Sequence, residues 1–127
     1  MSVRIVVAVD DLFIRRVVVF SLKKRGYEIL EASDGAAALN LVQQEHPDLA
    51  LLDVLMPKMG GLEVTRTLSQ DPATRPIPIL ILSASAQQSE IEAGLANGAT
   101  AYLVKPLEPK VLGERVAEIL ERKGKLQ

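Results

Sequence analysis

Five polar side chains in this chain of 127 residues each stand directly behind a short apolar run, and as a set they suit phosphoryl transfer. Asp10 and Asp11 follow IVVAV, Asp53 follows LALL, Ser83 follows ILIL, and Lys105 follows AYLV. If the runs are neighbouring strands, three carboxylates meet and repel one another unless a cation neutralises them. With no cysteine in the chain and no histidine nearby, the ligands are oxygen only, which points to Mg²⁺, or Mn²⁺, rather than Zn²⁺. Lys105 would offer a compact positive charge to a phosphoryl oxygen, and Ser83 a hydrogen bond to another. A carboxylate can itself be the nucleophile, forming an aspartyl phosphate. Asp53 is the best candidate, because its run lies between the acid pair on one side and Ser83 and Lys105 on the other. Asp10 and Asp11 then hold the metal, directly or through water.

Short apolar runs alternate with longer stretches of helical spacing, the pattern of a parallel sheet with helices on both faces. Strands are expected at residues 4–9, 28–31, 49–52, 79–82 and 101–104. Helices are expected at 12–25, 34–44, 62–70, 89–96 and 108–122. Gly26 and the pair Asn97-Gly98 close helices one and four, where a left-handed residue is wanted. Ala38, Leu41 and Val42 give the second helix its buried stripe, and Val111, Leu112, Val116, Ile119 and Leu120 give the last one the same. Doubly wound sheets bind ligands beyond the carboxyl ends of their strands, where all five polar residues fall. The order 2-1-3-4-5, adopted from known doubly wound proteins and not obtained from these residues, would bring Asp10, Asp11 and Asp53 together.

Composition narrows the function classes. One domain is expected, with 48% hydrophobic and 24% charged residues, as in ordinary globular proteins. A formal net charge of −1 gives no general attraction to nucleic acid or to anionic lipid, so neither direct nucleic-acid binding nor a membrane is expected. The absence of cysteine and of a signal-peptide pattern fits a cytoplasmic protein. The segment 123–127 reads as a short polar tail, and no output domain is seen.

Over residues 4–122 the chain resembles the receiver domains of two-component response regulators, including the single-domain chemotaxis type. The matching pieces are VAVDD at 7–11, LLDVLMPKMGGLE at 51–63, ILS at 81–83 and GATAYLVKPLE at 98–108. The resemblance implies the flavodoxin-like fold, Asp53 as phosphoacceptor, Asp10 and Asp11 as the acidic metal pair, and the main-chain carbonyl of Leu55 as a further metal ligand. It implies Lys105 as the invariant lysine, Ser83 as the switch hydroxyl and Tyr102 as the aromatic residue that turns inward with it. Gly61 matches a loop position where glycine would allow a positive φ, and Lys105-Pro106 resembles the family's cis peptide. The donor would be a histidine kinase or a histidine phosphotransfer protein, and the chain would catalyse its own phosphorylation and its own slow dephosphorylation. A face made of the fourth helix, fifth strand and fifth helix, including Ala101, Tyr102, Val104, Glu92 and Leu95, would engage an unknown output partner or a second copy. Leu55 and Ser85 occupy positions that tune the phosphoryl lifetime, and leucine cannot orient an attacking water.

Blander roles stand beside these. Capping of the first helix would account for one of the two aspartates but not for the pair. Lys105 alone could be a surface lysine, and Tyr102 an ordinary half-buried strand residue. His46, before Pro47 in a connecting turn, is expected to be exposed and without a role. Arg15-Arg16 and Lys23-Lys24-Arg25 read as solvated helix faces. An aspartyl-phosphate phosphatase of the haloacid dehalogenase type would want an acid where Leu55 stands, and a flavodoxin-like electron carrier would want hydroxyls and glycines where Asp10 and Asp11 stand. A degenerate receiver, acting only as a docking or dimerisation module, remains open.

Overall fold

The computed structural model describes residues 2–106 and 108–124. Five strands, β1 (Arg4–Ala8), β2 (Glu28–Ala32), β3 (Leu49–Asp53), β4 (Ile79–Ser83) and β5 (Ala101–Val104), alternate with five helices. These are α1 (Leu12–Lys24), α2 (Gly35–Glu45), α3 (Gly61–Gln70), α4 (Gln88–Ala96) and α5 (Pro109–Arg122). All paired strands are parallel, in the order β2-β1-β3-β4-β5, so the expected sheet order is the one found. Residues 125–127 of the expected tail lie outside the described residues.

Alternation along the strands sends side chains to two cores. Ile5, Val7, Val9, Leu49, Leu51, Leu80 and Leu82 pack with Val18 and Leu22 of α1 and with Leu112, Val116 and Leu120 of α5. Val6, Ala8, Ala50, Leu52, Ile79 and Ile81 pack with Ala38 and Val42 of α2 and Val64 and Leu68 of α3. Every residue of β3 and β4 is buried, which explains why their sequences are apolar without alternation. Helix α4 buries only Gly94 and is the least embedded of the five.

Most element ends fall within a residue or two of expectation. The α2 helix ends on His46 in the left-handed region (φ 45°), exposed as expected, while Gly26 (φ 92°) and Gly98 (φ 109°) close α1 and α4. Val111 departs from expectation: it is exposed, and Gly113 takes its place against α1, where the Arg25 guanidinium lies across it. Arg15 departs as well. Its side chain is only 15% exposed, and it bridges the Val9 carbonyl and Glu31 instead of facing solvent.

Candidate phosphoacceptor site

Asp53 ends β3, the central strand, and is 4% exposed. Such a carboxylate needs a counter-charge, and Lys105 supplies it from the end of β5, with Nζ donating to Oδ2 at 2.7 Å. The Lys105 backbone is itself fixed, its N–H donating to the Ser83 carbonyl at 2.7 Å, and the following Lys105-Pro106 bond is cis, as expected. Among the described residues Oδ1 of Asp53 has no hydrogen-bond donor, and no fully buried side-chain oxygen lacks one, so Oδ1 reaches solvent. One oxygen is held and the other is presented outward.

Ser83 lies on the adjacent strand end, 7% exposed, where its hydroxyl accepts from the Ser85 N–H at 3.1 Å. The Ser85 carbonyl in turn accepts from the Tyr102 hydroxyl at 3.3 Å. Ser85 is thus the link between the two expected switch residues. The Tyr102 ring lies against Gly94, where an added Cβ would come within 3.1 Å of it. Beyond it, a cleft of about 430 Å³ runs between α4, β5 and α5, lined by Ile91, Leu95, Ala101, Tyr102, Arg115 and Ile119 among others.

The two aspartates after β1 part company. Asp11 is the N-cap of α1, with Oδ1 accepting from the Ile14 N–H at 3.0 Å and its carbonyl accepting from Arg15 N–H. Asp10 is exposed and has no hydrogen-bond partner among the described residues. Within that same set no three His, Cys, Asp or Glu side chains gather closely enough to hold a metal. The carboxylates of Asp10, Asp11 and Asp53 are thus not drawn together, and at Asp11 the cap engages Oδ1 alone. The donors at this edge, Asp10, Asp11, Asp53 and the carbonyls of the β3–α3 loop, are oxygen only and fit a hard divalent cation.

That loop is held by residues which the sequence had marked only as a helix opening. Asp34 caps α2 through the Ala37 N–H at 2.8 Å and pairs with Lys58 at 3.6 Å. The Ala37 amide first, and then the Lys58 ammonium, hold the Asp34 carboxyl below its ordinary value, against the contrary effect of burial. Gly35 N–H donates to the Pro57 carbonyl, and a Cβ at Gly35 would lie 1.7 Å from the Met59 carbonyl oxygen. Gly61 serves by close approach and not by a positive φ: its Cβ would lie 2.2 Å from the Asp53 carbonyl oxygen, and the positive φ in the loop (70°) falls on Lys58. Leu55 is 78% exposed.

The sequence profile of the response regulator receiver domain matches residues 5–117. The chain belongs to that family. This receiver is 36% identical, over 96% of its length, to the phosphate regulon transcriptional regulatory protein PhoB of Klebsiella pneumoniae. It is 38% identical over 96% to the alkaline phosphatase synthesis transcriptional regulatory protein PhoP of Bacillus subtilis. It spans about half the length of these relatives, 53% and 50% respectively. Among solved structures it resembles a putative response regulator from Chloroflexus aurantiacus (34% identity, TM-score 0.91, 96% of this chain and 100% of that one). It also resembles the chemotaxis response regulator CheY4 of Vibrio cholerae (32% identity, TM-score 0.89, 94% and 100%). A receiver of two-component signalling implies a histidine kinase as partner. Among the described residues no helix is long and apolar enough to cross a membrane.

Proposed function

We propose that Asp53 accepts a phosphoryl group from a phosphohistidine on a kinase or phosphotransfer protein, and that the α4-β5-α5 face reports the event to an output partner or a second copy. The observation that carries this is the Asp53–Lys105 pair, which leaves Oδ1 of a buried carboxylate facing outward at a strand end. In the transfer, Oδ1 forms the new bond to phosphorus while the donor's P–N bond breaks and its electron pair stays on the imidazole. Lys105, already at Oδ2, is placed to meet the charge on the arriving phosphoryl oxygens, and chemistry of this kind relies on positioning and charge more than on covalent help. A bound Mg²⁺ or Mn²⁺ would add positive charge opposite those oxygens, with Asp10, Asp11, Asp53 and the Leu55 carbonyl as its protein ligands, directly or through water.

If Ser83 turns toward the phosphoryl group and gives up the Ser85 N–H, that movement pulls on the same residue that anchors the Tyr102 hydroxyl. The phosphoryl group therefore favours the arrangement in which Ser83 faces it, a population shift that Ser85 passes to Tyr102 and the cleft behind it. The donor has a landing place. Phe13 (75% exposed), Val17 and Phe20 (65%) form an apolar stripe on α1, and the cleft beside it is lined by Lys105 and Pro106. This surface adjoins the site through Lys105, where a protein delivering phosphate to Asp53 would meet it.

Incubation with acetyl phosphate, with and without Mg²⁺, read by intact mass, tests the chemistry. A metal-dependent gain of one phosphoryl group, lost in Asp53→Asn, is expected. A wild type that gains nothing from acetyl phosphate or from a phosphorylated histidine phosphotransfer domain is a docking module instead.

A further inference from the structure

We propose that the N-terminus of α2 is the fixed point against which the β3–α3 loop is set, and that Gly35 is a positioning residue for the cation at Asp53, acting through Pro57 and Met59 on the Leu55 carbonyl. The inference rests on reading the Asp53 edge as a cation-assisted phosphoacceptor site. Residues 54–60 carry the chain from β3 to α3. The stem of this loop is closed by Val54 N–H on the Leu82 carbonyl (2.9 Å) and by Gly61 N–H on the Val54 carbonyl (3.0 Å). Beyond the stem, among the described residues, every hydrogen bond or ion pair that residues 55–59 make to another element goes to Asp34 or Gly35. The Leu55 carbonyl accepts no hydrogen bond within that set, so its direction follows the residues on either side of it.

Gly35 answers to the loop and not to its own helix. Its φ lies outside the left-handed region and the cap is Asp34, so α2 by itself would accept alanine there. A Cβ at this position would overlap the Met59 carbonyl oxygen, and the Gly35 N–H donates to the Pro57 carbonyl at 3.2 Å. Lys58, between those two residues, stands at φ 70° with its ammonium 3.6 Å from Asp34. A residue with a Cβ keeps such a backbone only where its surroundings hold it. From below, the Met56 and Met59 side chains pack on the core that α2 and α3 cover. A side chain at position 35 is therefore accommodated by lifting residues 57–59, and the Leu55 carbonyl, two residues before Pro57, turns with them.

Mn²⁺ binding to the intact chain, followed by water-proton relaxation, tests this without any phosphorylation. Gly35→Ala should weaken binding about tenfold, as loss of outer-sphere support does at metal sites. Leu112→Ala, a destabilising change in the other core, should stay within about twofold of the wild type. In the wild type, Mg²⁺ should slow hydrogen exchange at the Gly35 amide severalfold more than at the Thr100 amide, which donates to the Ile79 carbonyl at the far end of the sheet. Wild-type affinity in Gly35→Ala, or an equal loss in Leu112→Ala, would overturn the proposal and leave the cation-assisted function standing. Should Gly35→Ala not fold, the exchange measurement decides: equal slowing at the two amides overturns the proposal, and greater slowing at Gly35 upholds it. A wild type that binds no Mn²⁺ brings down both.

Discussion

Lys105→Met removes the ammonium 2.7 Å from Oδ2 of Asp53 while keeping most of the apolar stem. At an effective dielectric of about 20 the direct attraction at that distance is about 6 kcal/mol, and the water lost by both groups offsets much of it. The Asp53 side chain is 6% exposed and the Lys105 side chain 19%, so solvent reaches the pair from the lysine side. The net destabilisation should therefore be about 2–3 kcal/mol, at or just below the range for stranding one partner of a fully buried pair. For a domain of this size that lowers the melting temperature by roughly 10 °C. Urea denaturation of the wild type, Lys105→Met, Asp53→Asn and the double variant closes a double-mutant cycle. The double variant should be no less stable than Lys105→Met alone, because the neutral amide that replaces the Asp53 carboxylate leaves no charge stranded, and the coupling energy should be about 2 kcal/mol. Additivity to within about 0.5 kcal/mol would show that the pair is a surface contact and that the charge argument for the site is wrong.

Gly61→Ala places a Cβ 2.2 Å from the Asp53 carbonyl oxygen, so it should displace the phosphoacceptor. We expect a destabilisation of about 2 kcal/mol in urea and a fall in the rate of acetyl phosphate labelling, whereas Gly26→Ala, remote from the site, should leave the labelling rate alone. Asp34, whose pKa is lowered in the folded chain, contributes stability that is complete above its unfolded-state pKa and is lost as pH falls through the folded value. In Asp34→Asn that part of the acid-side slope of stability against pH should be missing, as pH-dependent thermal melts would show. Leu112→Ala empties a fully buried position between α5 and the sheet and should cost about 3 kcal/mol by urea denaturation. The phosphorylated form should lose phosphate slowly, and Leu55→Asn, which supplies a group able to hold a water beside Asp53, should speed that loss severalfold in a phosphate-release assay.

The elements were legible because the doubly covered strands write themselves as unbroken apolar runs, and because Gly26 and Asn97-Gly98 stand where helices must stop. The strand ends were legible for the same reason: a polar residue directly after IVVAV, LALL, ILIL or AYLV has nowhere to go but the ligand edge. What spacing could not settle was direction. Asp10 and Asp11 are adjacent and chemically identical, and only the hydrogen bond from the Ile14 N–H separates a free carboxylate from a cap. A residue three before an amide that needs an acceptor is a capping candidate, so the signal was present, but it competed with a pair motif of the same composition. Arg15 was misjudged. Its charge suggested solvent, yet it spans from the Val9 carbonyl to Glu31. That reach is set by how α1 packs beside β1 and β2, which no local pattern encodes.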